Sequence, residues 1–353
     1  MGLKFGLNMR KIITDNSFFS VKDYMDIQEF IYRDQATKPI ALVAQGGGQL
    51  GIFTAGILDE FLQNHYDPFD LYIGTSAGAL NIASFLTRQH HYAYRFITEI
   101  TTDDRFFNLS RFIRHNESMN LDWAINNGIG LPQYALDIPR GRKTLKGKVG
   151  LATATKLQDL SPHYLPLFER NWVEVLKATS AIPLIYSDPV AVNDALWYDG
   201  GISASIPVQE AYRRGARIIV VLRTEPAEVY ESSNEISTEK MKNIILEKSL
   251  TLRNHVKFPR WIFSKYDLHE VISMTRRHID SPFVKMIIRH RQNQRETIEF
   301  LNNTPDDLLV FEIAPSENLK THALLTKKNI LDSEYKLGKK VGKRALHICK
   351  SIM

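Results

Sequence analysis

The sequence predicts an α/β protein built around a mainly parallel central sheet. Two observations carry this. First, Ile40–Ala44 (IALVA), Phe69–Ile73 and Ile218–Leu222 (IIVVL) are short apolar runs without polar alternation, the composition of strands buried on both faces. Second, the first two runs are each followed by a glycine-bearing turn and then a helical pattern. After QGGGQLG (45–51), Leu50, Phe53, Ile57, Leu58, Phe61 and Leu62 recur at helical spacing; after GTSAG (74–78) comes an alanine-rich stretch. A strand–turn–helix unit repeated in this way calls for parallel neighbours joined by right-handed crossovers.

The remaining elements follow in order. Residues 1–37 are mixed and polar and read as an N-terminal arm or short helix without chemistry. Pro39 ends that arm and Pro68 ends the first core helix. Residues 89–145 are irregular, with His90, His91, Tyr92, Phe106, Phe107, Phe112, Trp123 and the piece Asn127–Gly130; they read equally as an insertion over the sheet, such as a lid, or as ordinary packing helices. Lys148–Ala154 is a predicted strand, Val173–Ile185 a helix stopped near Pro183, and Asp188–Val192 with Leu196–Tyr198 a hairpin. Leu308–Ile313 is a last strand. Lys327–Lys350 is a basic helix with Tyr335, Gly338 and Gly342 at packing spacings. No composition break marks a second domain, so 38–353 reads as one domain. It has a core over about 38–225, a basic helical extension over about 238–303, and a C-terminal strand and helix over about 308–350.

The single cysteine, Cys349, excludes an internal disulfide framework and a cysteine-rich metal site, and it fits a reducing, cytoplasmic compartment. The N-terminus lacks the apolar stretch of a secretory signal, and no run is long enough to span a bilayer. The net charge of +6 suggests an anionic partner. Residues 238–300 hold thirteen Lys/Arg against seven Asp/Glu, interleaved with aromatics in FPRWIFSKY. That mixture suits peripheral attachment to an anionic membrane surface; nucleic acid is the weaker reading.

Chemistry concentrates at three glycine-rich turns. GTSAG, in a strand–turn–helix setting, would lift Ser76 above the sheet on a sharp turn, with a helix N-terminus behind it. Gly74 and Gly78 keep β-carbons away from the adjoining strand and helix. In QGGGQLG the backbone N–H groups of Gly46, Gly47 and Gly48 are free to converge on a negative oxygen. The loop lacks the G-K-[ST] ending of a Walker A site and the spacing of a dinucleotide fingerprint. An oxyanion hole beside Ser76 is the better account. At 199–201, Asp199 leaves a predicted strand into Gly200-Gly201. A histidine would be the usual third partner. His255, His269 and His322 follow Asp199, but none has a motif around it.

GGGQLG at 46–51, GTSAG at 74–78 and DGG at 199–201, in that order, resemble the patatin-like phospholipase family, bacterial members included. KATSAIPLIYSDPV and WYDGGISASIPVQEAYRRGA also look like that family's pattern, and the likeness covers about 38–225. The resemblance implies a three-layer α/β/α fold with additional C-terminal helices. It implies hydrolysis of phospholipid or related acyl esters by a Ser–Asp dyad, with no metal or cofactor. On matching positions Ser76 is the nucleophile, Asp199 the general base, and Gly46, Gly47, Gly48 and Ala77 the oxyanion donors. Gly51, Gly74, Gly78, Gly200 and Gly201 support the turns. One position departs: Leu50 stands where the family usually has Arg or Lys. That departure motivates an alternative, a catalytically weak lipid-binding or regulatory protein on the same scaffold.

Overall fold

The structure is a computed structural model of the chain; it describes residues 9–32, 38–107, 119–130, 134–183, 185–186, 188–227, 282–324 and 326–352. In chain order the elements begin with β1 (Arg10–Ile13), α1 (Val21–Tyr32), β2 (Ile40–Ala44), α2 (Gly51–Gln63), β3 (Leu71–Thr75) and α3 (Ala77–Leu86). Then come α4 (Tyr92–Arg95), a π-helical turn (Phe96–Ile100), α5 (Leu121–Gly130), α6 (Ile138–Thr144), β4 (Val149–Lys156) and β5 (Pro162–Pro166). The chain continues through α7 (Trp172–Ser180), β6 (Val190–Val192), β7 (Ala195–Asp199), α8 (Val208–Arg213) and β8 (Ile218–Leu222). It closes with α9 (Pro282–Asn302), β9 (Leu309–Ile313) and α10 (Lys328–Ile352).

One nine-stranded sheet organises these elements in the order β1-β9-β8-β2-β3-β4-β7-β6, with β5 also paired to β4. From β1 to β4 every pairing is parallel. The pairings of β5, β7 and β6 are antiparallel. Alternation along the central strands builds two cores. Leu42, Ala44, Val220, Leu222 and Phe311 face one, packed with Phe53, Ile57 and Val341 from α2 and α10. Ala41, Val43, Ile219, Val221 and Val310 face the other, with Ala211 of α8 and Leu301 of α9. Helices therefore cover both faces, the three-layer arrangement that continuous apolar strands require.

The helix α10 lies tightly along α2. A β-carbon on Gly338 would come within 2.0 Å of the Phe53 carbonyl, so the two helices touch backbone to backbone there. Two strands escape the sequence reading. β1 lies within the presumed N-terminal arm but pairs with β9, and its Arg10 meets the fully buried Glu312, which also binds Arg223 at 2.6 Å. β5 is bounded by Pro162 and Pro166 and sits against β4. The basic stretch 238–281 lies outside the described residues, as do Phe112, His255 and His269.

Candidate active site

Ser76 follows the last residue of β3 and caps α3. Its backbone, at φ 52 and ψ −125, is in a region that costs an ordinary residue about 1–3 kcal/mol. Surrounding bonds hold it there. The Ser76 N–H donates to Thr179 Oγ1 at 2.9 Å, and that hydroxyl donates in turn to the Thr153 carbonyl at 2.6 Å. The turn can form only because Gly74 and Gly78 lack side chains. A β-carbon would stand 2.5 Å from Ala79 Cα in the first case and 2.5 Å from the Ala44 carbonyl in the second.

Asp199 reaches the same place from the other side of β4. The strand β7 runs antiparallel to β4 and sets Asp199 beside Ala154, while Thr75 pairs with Thr153 in parallel register. The aspartate backbone is fixed by Thr155 Oγ1 donating to its carbonyl at 2.8 Å and by its own N–H donating to the Ala181 carbonyl at 2.9 Å. Its side chain is 1% exposed. Oδ1 accepts the Gly201 N–H at 2.6 Å. Oδ2 is buried with no hydrogen-bond partner among the described residues. Burial pushes the Asp199 pKa up to about 7, against the opposing pull of Ser76 and the Gly201 amide.

The glycine loop comes between these two residues and the end of β2. Gly47 and Gly48 have φ of 145 and 58, conformations suited to glycine, and a β-carbon on Gly48 would be 2.4 Å from the Ala323 carbonyl. Among the described residues the N–H groups of Gly47, Gly48 and Ala77 meet no hydrogen-bond acceptor. Gly46 differs from expectation: its N–H is directed to the Ser205 carbonyl at 3.4 Å, while its own carbonyl accepts from Thr224 Oγ1 at 2.8 Å. Gly51 opens α2, and its carbonyl accepts from Asn81 Nδ2 at 2.8 Å. Gly200 passes so close to β4 that a β-carbon would be 2.3 Å from the Thr153 carbonyl.

Two cavities of opposite character meet at Ser76. The larger holds about 770 Å³ of open space and is lined by Leu80, Phe96, Phe106, Ile125, Leu176 and Leu324 among others. Much of that wall comes from residues 96–125, including the π-helical turn, and several of the same side chains pack into the main core. The smaller holds about 310 Å³ and is lined by Gln45, Gly46, Gly47, Asp199, Glu225 and His290, with Ser76 at its edge.

The patatin-like phospholipase family model matches residues 42–212. A curated relative, the uncharacterized protein YjjU of Escherichia coli (strain K12), is 34% identical over 304 residues, covering 86% of this chain and 76% of that protein. The chain belongs to the patatin-like phospholipase family. A second model, a domain of unknown function named DUF6363, matches residues 280–353. Among solved structures, VipD from Legionella pneumophila is similar with a TM-score of 0.38 and 12% identity, covering 88% of this chain and 67% of that one.

In this patatin-like site Leu50 turns inward and is 5% exposed, part of the core rather than of either cavity wall. His322 belongs to the loop that meets Gly48 and lines neither cavity; its N–H donates to Thr326 Oγ1 at 2.9 Å. Sequence reasoning missed Thr179, Thr155 and His290. Thr179 was within reach, because it sits inside KATSAIPLI; His290 sits on α9 with no motif to mark it.

Proposed function

We propose that the chain is a serine acyl hydrolase that cleaves carboxylic esters of phospholipids or related lipids through Ser76 and Asp199, without a metal. One observation carries this reading: Ser76 stands at the junction of an apolar cavity and a polar one, with the buried Asp199 on the polar side. The apolar lining of the larger cavity is suited to an acyl chain. In the first step Asp199 takes the Ser76 proton while Oγ bonds to the ester carbonyl carbon. The carbonyl oxygen becomes an oxyanion, stabilised by the amides of Gly47, Gly48 and Ala77. Collapse of that intermediate breaks the bond to the leaving alkoxide, which takes the proton from Asp199. Water then attacks the acyl-serine, giving its proton to Asp199; the fatty acid leaves and the proton returns to Ser76.

An aspartate in water is too weak a base for this work, and a pKa near 7 corrects that. The ionised form is the base, so kcat rises with pH through about 7. The direct test is hydrolysis of p-nitrophenyl butyrate and of a mixed phospholipid extract by wild type, Ser76→Ala and Asp199→Asn. Wild-type turnover lost in both variants, with the fold retained, supports the reading; turnover in Ser76→Ala equal to wild type removes it.

Among the described residues no helix is long and apolar enough to cross a membrane. For access to lipid we propose peripheral docking on an anionic membrane, at its cytoplasmic face. Four exposed large apolar residues cluster on the segment leading into and along α1: Phe18, Val21, Met25 and Tyr32. Next to them α10 carries Lys336, Lys340, Lys343, His347 and Lys350 in one exposed stripe, and Arg344 lies 5.5 Å from the centre of the Phe18 ring. Apolar anchors beside cations are the chemistry of an acidic lipid surface, where each Lys contributes about 1 kcal/mol. Cosedimentation with phosphatidylglycerol-containing vesicles, weakened by Phe18→Ser with Met25→Ser, is the expected result. Equal binding to purely phosphatidylcholine vesicles would remove this part.

A further inference from the structure

The segment matched by the domain of unknown function touches the site at three points. Gln49, in the turn just after the glycine loop, donates its N–H to the Ala323 carbonyl at 2.9 Å, and its Oε1 accepts from the Thr326 N–H at 2.8 Å. Asn293 Oδ1 accepts the Ser205 N–H at 3.1 Å, in the chain just past the Asp199 turn. His290 Nδ1 lies 2.6 Å from the Gly201 carbonyl. His290 is 2% exposed and lines the polar cavity together with Ser76 and Asp199. The patatin-like region ends before any of these contributors begins.

The contact with Gly201 defines the imidazole's state. A carbonyl oxygen only accepts, so Nδ1 carries the hydrogen. Burial holds the ring's pKa down at about 4, and the ring is neutral at the pH of catalysis. The Gly201 N–H donates to Asp199 Oδ1, and the Gly201 carbonyl receives His290. Those two groups lie on successive peptide planes hinged at a residue with no side chain to restrain it. Anchoring one plane restrains the other, and with it the amide that aims Asp199.

We propose that His290 is a positioning residue for Asp199, acting through Gly201, and that the segment 280–353 thereby completes the active site of the hydrolase. The inference rests on the Ser76–Asp199 reading. It gives the C-terminal segment a part in catalysis, in which α9 restrains the base loop and the loop around Ala323 restrains the oxyanion turn.

Side-chain geometry supplies a test specific to this role. The amide nitrogen of Asn can stand where Nδ1 stands, whereas that of Gln reaches the position of Nε2. His290→Ala, His290→Asn and His290→Gln would be compared in the full-length protein, with Ser76→Ala as the blank. The substrate is p-nitrophenyl butyrate, and each variant's melting is followed to report its folded fraction. His290→Asn should keep kcat within a few-fold of wild type. His290→Ala and His290→Gln should lose about 10- to 100-fold in kcat with KM little changed, the usual effect of removing a group that orients a working residue. Weakening the Gly201 amide's hold on Asp199 removes a contact that favours its ionised form, so the kcat midpoint near pH 7 should move upward in those two variants. Glu225, in the same cavity, and Arg291, next in the helix, are unchanged across the series and serve as constant background. The proposal is overturned if all three variants match wild type, or if His290→Gln works and His290→Asn does not, which would assign the role to Nε2. A wild type that reacts at Ser76 while His290→Ala is indifferent removes this inference alone; a wild type inert at Ser76 removes the hydrolase reading beneath it.

Discussion

Replacing Asp199 by Asn should stabilise the protein at alkaline pH while abolishing its activity. The reason lies in the cost of an ionised carboxylate that is 1% exposed and has one oxygen without a well-formed hydrogen bond. Burial raises its pKa from 3.8 to about 7. Between those values the unfolded chain has released the proton and the folded chain has kept it, so stability falls as pH rises through the window and levels off above it. The full difference is about 4 kcal/mol at pH 8 by the conversion of pKa to free energy. Burying the Asn amide offsets part of this, leaving an expected gain of about 2–4 kcal/mol. Near pH 4.5 the gap should be smaller by about 3 kcal/mol, because Asp199 is then protonated in the folded state while the unfolded chain has only begun to gain from releasing its proton. Guanidinium denaturation at pH 4.5 and pH 8 measures both gaps, provided the denaturant slopes match. Over the same substitution, ester hydrolysis should fall by about 10²–10⁴-fold, the usual worth of a general base. An Asn variant less stable than wild type at pH 8, or a gap that ignores pH, would refute the assignment of Asp199 as a buried base of raised pKa.

Two further outcomes follow from the cavity walls and the strained turn. Thr179→Val leaves the Ser76 N–H without its acceptor, so the variant should lose about 1–3 kcal/mol of stability and show a lower kcat at similar KM, checked by thermal melting and steady-state kinetics. Leu80→Phe narrows the apolar cavity, so the ratio of kcat/KM for long against short p-nitrophenyl esters should fall by about tenfold, an effect absent if acyl chains lie elsewhere.

How far the sequence disclosed this structure depends on what each residue answers to. The runs Ile40–Ala44 and Ile218–Leu222 are strands with those bounds because both faces are buried, and nothing but apolar residues fits there. The GTSAG turn was legible because its glycines answer to local collisions. By contrast, β1 carries Arg10 and Lys11, and its place in the sheet depends on Glu312, some three hundred residues away. The helix predicted over Val173–Ile185 ends at Ser180 instead, since the next residue's carbonyl is taken by the Asp199 N–H. Gly46 was expected to offer its N–H to an oxyanion, but that N–H faces Ser205, a partner that only the folded chain supplies. His290 was unreadable for the same reason. A histidine in a basic helix has no signature, and its meaning comes from Gly201, which lies eighty-nine positions away.

The most direct measurement is the mass of the protein after exposure to a fluorophosphonate, followed by peptide mapping. The account predicts one covalent phosphonyl adduct, carried by Ser76, formed faster as pH rises through about 7 and absent from Ser76→Ala. An adduct on another serine, or folded wild-type protein that stays unmodified, would contradict it.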